Sequence, residues 1–297
     1  MATKTKLKAI QLPESSSLSN RALLVSVQIS QWDARRIDKA ETEAVQVKHK
    51  TAKRAARVHK SLLPGAKELE TIHKLSGDIR TFVYKHTLPW AEGVQILKTE
   101  GYMDFTTKLA SLVDTWKLRV DEFVDAYPGL IRQAKFALGT MFDPDDYPDV
   151  STIRGRFRIE SKYLPVPEAN DWRVDLGAEH VESLRKSVED QLRQSQETAM
   201  KEAWDRLYKV CQHAHERLSK PDAIFRDSLI ENAVELCKLL PSLNITNDPA
   251  LEQMREQIEG SLCAYDPKRL RKNPAERANA AAQLQKAMSK MGAFYAS

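Results

Sequence analysis

Glycine and proline are scarce in this sequence, at 10 and 13 of 297 residues. An all-β sandwich or barrel needs a turn about every ten residues, so that class is excluded and long elements are expected instead. The Gly-rich phosphate loops are missing as well. Neither G-x-G-x-x-G nor G-x-x-x-x-G-K-[ST] occurs, which removes the common nucleotide-binding folds. There is no G-x-S-x-G elbow and no H-E-x-x-H pair, so the familiar hydrolase and metalloprotease chemistries have no carrier. The three cysteines, Cys211, Cys237 and Cys263, form no C-x-x-C pair. Their odd number and helical surroundings point to reduced, packed thiols in a reducing compartment. They are spaced equally, but the flanks VCQHAH, ELCKLL and SLCAYD share nothing else, so the spacing is given no structural meaning. Long apolar runs are lacking too. Ala22 to Val25 is the longest near the N-terminus, far short of a signal h-region or a membrane span. The expectation is a cytoplasmic protein with no membrane partner, no cofactor and no small-molecule substrate. The net charge of +5, from 46 basic and 41 acidic residues, permits a nucleic-acid partner without demanding one.

What the sequence does contain is periodicity. Residues 1–20, rich in Ser and Lys, read as a flexible leader. LLVSVQIS alternates Leu23, Val25, Val27 and Ile29 with polar residues, which is the pattern of a half-buried strand. From Asp33 the steps become three and four, through Ile37, Ala40, Ala44, Val47, Thr51, Ala55, Val58 and Leu62. That stripe predicts one long helix ending at Pro64-Gly65. A second helix follows on Leu69, Ile72, Leu75, Ile79 and Phe82, and the two are expected to pair as an antiparallel hairpin. GVQIL, residues 93–97, is a short strand candidate. Phe105, Leu109, Leu112, Trp116, Val120, Phe123, Tyr127 and Leu130 mark a core helix rather than an aromatic ligand box. From Glu179 the longest helix begins. Its stripe thins to Ser195, Ala199 and Ala203, so it needs a partner helix from this chain or from another copy. Shorter helices, broken at Pro221, Pro241, Pro249 and Pro274, complete the chain.

The candidate sites are mostly basic. The acidic turn FDPDDYPDV lacks the Gly and final Glu of a calcium loop, and its aspartates read as turn and cap residues. His213 and His215, two apart on a helix, point away from each other, and Cys211 with His215 on one face are two ligands with no distant pair, which makes a poor zinc site. Three cationic features remain. Lys50, Lys53, Arg54, Arg57 and Lys60 lie on the outer side of the first expected helix. Lys268, Arg269, Arg271 and Lys272 form a turn between two prolines. In STIRGRFRIESKYLPVP, Arg154, Arg156 and Arg158 alternate with Ile153, Phe157 and Ile159, which predicts a strand over 153–163 with its arginines outward. Those arginines face solvent, carboxylates of a neighbour, or phosphate. WRVDL, residues 172–176, is a last short strand.

Several segments carry a resemblance: VSVQISQWDARR, TLPWAEGVQIL with GYMDF, and YPDVSTIRGRF followed by PVP and WRVDL. Together, over roughly residues 21–176, they resemble a domain family of unknown function found in phages, plasmids and bacteria. That family is commonly encoded beside a MoxR-type AAA+ ATPase and a von Willebrand A-type protein. The resemblance implies a non-enzymatic component working with an ATPase module, and it carries over no functional residue.

The expected fold is therefore α+β and predominantly α, with long antiparallel helices on a small β-sheet. Its expected divisions are a leader at 1–20, a hairpin and sheet at 21–176, and a long helix with a C-terminal bundle at 177–297. The expected function is a non-enzymatic interaction or adaptor protein, self-associating or bound to an AAA+ ATPase. The alternatives are a nucleic-acid-binding accessory protein and a virion structural protein.

Overall fold

The computed structural model describes residues 16–168, 178–220 and 223–295, and within them the fold is predominantly helical with a small antiparallel sheet. In chain order the elements are α1 Ser16–Ser19, β1 Ala22–Ser30, β2 Arg35–Asp38, α2 Lys39–Lys48, β3 Val58–Ser61, α3 Lys67–His86, β4 Leu88–Ala91 and β5 Val94–Lys98. They continue as α4 Tyr102–Leu138, α5 Val150–Ile153, β6 Arg158–Pro165, α6 Ala178–Leu218, α7 Ser228–Leu243, α8 Pro249–Ser261, α9 Pro267–Lys272 and α10 Pro274–Tyr295. One sheet has the order β4-β5-β1-β6, and β2 and β3 make a separate ribbon. The sequence alternation locates β1, and β5 lies where GVQIL is. β4 was not expected, because LPWA is short and contains Pro89. A proline is tolerated there because β4 is an edge strand. The β4–β5 turn closes at Gly93, whose φ of +69° favours glycine.

The chain forms two units, each discontinuous in sequence. One comprises Met1–Ser26, Tyr84–Phe105 and Lys162–Ser297, and the other Val27–Val83 and Thr106–Ser161. Sequence order, with its expected break near residue 177, does not display this division.

In the first unit α6 is the organising element, 41 residues long and so roughly 60 Å from end to end. Ala199, Ala203, Leu207, Cys211 and Ala214 are fully buried along it. The partner helix that this thin stripe requires is α10 of the same chain, which packs along α6 with Ala280, Ala281, Leu284, Ala287 and Met291 buried. Small residues on both sides let two backbones approach closely, which recovers in dispersion part of what the small side chains lack in area. Arg277 on α10 closes the joint. Its buried guanidinium donates to the carbonyls of Leu218 at 3.1 Å, Arg217 at 2.9 Å and Ala223 at 2.9 Å, and also to that of Lys220. These groups lie at and just beyond the α6 C-terminus, where carbonyls lack helical donors and a cation meets the negative end of the helix dipole. Nearer the middle of α6, Arg206 bonds Glu202 at 3.0 Å and the Tyr84 carbonyl at 2.8 Å, and stacks 4.0 Å above the Tyr84 ring. The Tyr84 hydroxyl donates to Glu202 at 2.7 Å. Burial works to raise the Glu202 pKa, but the bonds from Tyr84 and Arg206 override it and leave the carboxyl below its ordinary value.

The second unit is held by aromatics. Phe123 contacts Tyr127, Trp32 and Phe157 at ring separations of 5.6, 6.4 and 5.4 Å. Trp116 Nε1 donates to the buried Ser76 hydroxyl at 2.8 Å, so the indole is satisfied inside the core.

Three expectations need correction. Residues 33–62 do not form one helix; only Lys39–Lys48 is helical, between β2 and β3. Half of the expected stripe is Ala and Thr, which bury little apolar area against a core, and its β-branched Ile37 and Val58 sit in the paired strands. No antiparallel hairpin of two long helices exists there. The strand expected over 153–163 begins only at Arg158, since Val150–Ile153 is helical and Arg154–Arg156 is a 3-10 turn. Ile153 and Phe157 are buried as foreseen, because a four-residue step on a helical turn also places two side chains on one side. Within the expected leader, Ser16–Ser19 is helical and Leu18 is buried. The rest of that leader, and the WRVDL segment, lie outside the described residues. Pro241 does not break its helix either; it sits inside the last turn of α7.

Arg277→Met should destabilise the protein by about 3 kcal/mol, because it leaves several carbonyls without their charged donor. The measurement is the urea midpoint at constant m, and an unchanged midpoint would show that water replaces the guanidinium without loss. Glu202→Gln should cost about 1 kcal/mol at neutral pH, after discounting for partial exposure. A carboxyl with a lowered folded pKa contributes stability above its ordinary value of 4.5 and loses it as pH falls through the folded value. The gap between wild type and variant should therefore narrow below about pH 4, and a gap independent of pH would refute this role.

Candidate functional site

Strands β2 and β3 pair antiparallel, with Arg35 opposite Ser61, Arg36 opposite Lys60, Ile37 opposite His59 and Asp38 opposite Val58. Residues 39–57 join them as an arm. Asp38 ends β2 and caps α2, accepting the Glu41 amide at 3.0 Å. The chain then returns through residues 49–57. Gln46 Nε2 donates to the Ala56 carbonyl at 2.9 Å and the Val58 amide donates to Thr42 Oγ1 at 2.9 Å. Lys50 and Arg54 adopt left-handed φ values of +50° and +77°, a conformation that costs a non-glycine residue roughly 1–3 kcal/mol. α2 buries none of its residues. Thus the arm is ordered by its own hydrogen bonds and not by a core.

Its charge is one-sided. No acidic residue lies between Glu43 and Glu68. Lys48, Lys50, Lys53, Arg54 and Arg57 are all exposed, and none has an ion-pair partner among the described residues. The end of α2 and the return loop therefore expose five cations to water.

Lys60 is different, although sequence grouped it with them. Its ammonium is 2.6 Å from Asp146 Oδ2, 3.8 Å from Asp38 and 2.8 Å from the Met141 carbonyl. Its side chain is only 9% exposed and that of Asp146 6%. Arg36 Nε reaches the other Asp146 oxygen at 2.8 Å. Asp146 belongs to the Pro144–Asp146 turn, which Asp143 caps by accepting the Asp145 amide at 3.0 Å. Beside it the Tyr147 hydroxyl donates to the Leu62 carbonyl at 2.7 Å, and burial, with the Asp146 charge, pushes its pKa up to about 12. Lys60 is an anchor of the arm, not a contact surface.

The other expected cations are largely occupied. Arg154 pairs with Asp121 and Arg158 with Glu160 at 3.3 Å. Arg156 is exposed with no ion-pair partner among the described residues. Asp149 caps α5, and its bonds from the Ser151 hydroxyl and amide lower its pKa. In α9, Arg269 pairs with Glu276. Arg271 pairs with Asp227 at 2.6 Å and donates to the Phe225 carbonyl at 3.3 Å. Lys268 and Lys272 remain exposed. Four of these seven cations, Arg154, Arg158, Arg269 and Arg271, thus already have a carboxylate partner.

Sequence reasoning missed Arg36 and Asp146, the buried charges that fix the arm. The Pro/Asp turn signal was visible, but not which of its aspartates is buried. Among the described residues no cluster of three His, Cys, Asp or Glu could hold a metal ion, and no helix is long and apolar enough to cross a membrane. Comparison of the chain with protein-family models, with curated proteins and with solved structures found no match.

Lys60→Met should destabilise the protein by about 3 kcal/mol, since it leaves Asp146 buried with only Arg36. The combined Lys50, Lys53, Arg54 and Arg57→Ala variant should keep its thermal midpoint within a few degrees, because those side chains are exposed and form no ion pair among the described residues. Thermal unfolding followed by circular dichroism separates the two roles, and equal losses in both proteins would dissolve the distinction.

Proposed function

We propose that the chain is a non-enzymatic nucleic-acid-binding accessory protein whose arm, residues 39–57, holds a phosphate backbone. The observation that supports this most is the set of five exposed, unpaired cations, Lys48, Lys50, Lys53, Arg54 and Arg57, on an element that buries nothing. An acidic protein surface would attract the same charges. Protein interfaces, however, take most of their energy from buried aromatic and apolar anchors, and the loop 49–57 has no aromatic residue. Phosphates need only cations at suitable spacing, and each neutralised phosphate releases condensed counterions. Without aromatics the arm cannot stack on unpaired bases, so the binding is to backbone and independent of sequence.

A second reading, a protein adaptor, draws on a different surface of the same unit. Leu118 and Phe136 on α4 are 54% and 87% exposed, and a separation of 18 residues returns to the same face of a helix. A protein partner there would suit the ATPase-linked role that the family resemblance implies.

Electrophoretic shift and fluorescence titration with a short random-sequence duplex test the first reading. Affinity should fall with salt at a logarithmic slope of about −4, and each single Ala substitution at Lys50, Lys53, Arg54 or Arg57 should reduce that slope by about one. Arg154→Ala and Arg158→Ala should leave both unchanged. Binding that ignores salt, or that survives the fourfold arm substitution, would overturn the proposal.

A further inference from the structure

The three cysteines, equally spaced for no reason visible in sequence, converge in the first unit. Cys237 is buried on α7, Cys211 is buried on α6, and Cys263 follows the end of α8 and is partly exposed. The sulfurs of Cys237 and Cys263 are 3.9 Å apart. α7 and α8 pack directly together, and the Cys237 sulfur also lies 4.0 Å from the Arg255 carbonyl of α8. A disulfide requires about 2.05 Å between sulfurs, so an approach of about 2 Å between two side chains is all that separates dithiol from disulfide.

We propose that Cys237 and Cys263 are a peroxide-sensitive dithiol that closes to a disulfide joining α7 to the segment after α8. Exposure assigns the roles. Cys263 is the partner that solvent and a small oxidant reach, whereas Cys237 is 1% exposed. Electrostatics agree. The hydrogen bond between the two sulfurs holds Cys263 below the ordinary thiol range, against the burial that works to raise it. The same bond, together with burial, pushes Cys237 up. Cys263 therefore supplies the thiolate, which is the reactive form.

The steps balance with hydrogen peroxide as oxidant. The Cys263 thiolate attacks one peroxide oxygen, an S–O bond forms, the O–O bond breaks, and the departing hydroxide takes a proton and leaves as water. Cys263 is now a sulfenic acid. Cys237 gives up its proton as its sulfur attacks the Cys263 sulfur. An S–S bond forms, the S–O bond breaks, and hydroxide leaves with that proton as a second water. Two thiols have lost two electrons and the peroxide has gained them. A small dithiol reductant reverses the change by exchange. Cys211, wholly buried, takes no part.

The test treats the full-length protein with equimolar hydrogen peroxide, then counts thiols after denaturation and maps peptides. The count should fall from the three free cysteines of the untreated chain to one, a Cys237–Cys263 cross-linked peptide should appear, and dithiothreitol should restore all three. Cys211→Ser should give the same cross-link, whereas Cys263→Ser should retain both of its thiols under the same exposure. Three thiols surviving in the wild type, a cross-link containing Cys211, or Cys263 oxidised without any cross-link would each overturn the proposal.

Discussion

A single buried carboxylate decides where the basic arm can stand. Asp146 is almost without solvent, and a charge so placed is tolerable only when cations and hydrogen bonds replace the water it has lost. Arg36 supplies one such cation from β2 and Lys60 the other from β3. Because the two lie opposite each other in the ribbon, the carboxylate clamps both strands at once. Asp38, close to the same lysine, turns away to cap α2. The ribbon, the start of the helix and the entry to the return loop all follow from that group of charges. The arm beyond needs no core, which is why residues 39–57 can do without Leu, Ile, Met, Phe, Trp and Tyr.

The first unit rests on another kind of constraint. α6 has a stripe too thin to be stable by burial alone, and α10 answers it with an equally small-sided face. Close backbone approach then replaces large side chains, and Arg277 gathers the carbonyls at the α6 terminus that such tight packing would otherwise leave dry. Thinness that seemed to ask for a second copy is met within the chain. The motive it offered for self-association therefore weakens, and the burden of partner recognition shifts to the exposed features of the other unit.

How much of this could be read in advance depended on side-chain size. α3 and α4 were legible because Leu, Ile, Phe and Trp recur at helical steps, α6 because Leu, Val and Ala keep those steps over about forty residues, and β1 because Leu, Val and Ile alternate. Across residues 33–62 half of the periodic positions are Ala and Thr, which fit a helix by spacing while supplying little burial to enforce it. The segment Ile153 to Ile159 failed for the opposite reason. Ile153 and Phe157 satisfy both a two-residue and a four-residue period, and only tertiary packing chooses. For the candidate site, sequence displayed the cations but not their pairing. Asp121 and Asp146 are remote in sequence from Arg154 and Lys60, so nothing local marks those two as occupied. The convergence of Cys237 with Cys263 was hidden in the same way, because it depends on how α7 meets α8.

Pairing is what separates the basic features physically. An exposed ion pair is worth only about 0–1 kcal/mol, so Arg158 with Glu160 gains little stability, yet the carboxylate cancels the field that a polyanion would feel. The arm has no such cancellation. Its five cations repel one another, and two of its residues, Lys50 and Arg54, adopt a strained backbone. Neither repulsion nor strain is offset by burial. Both are small enough for a marginally stable protein to carry, and under the proposed reading a phosphate backbone would offset the repulsion while the fixed loop would have less entropy to lose on binding. A surface that is mildly unfavourable in isolation and favourable against clustered negative charge is what the proposed backbone binding would require.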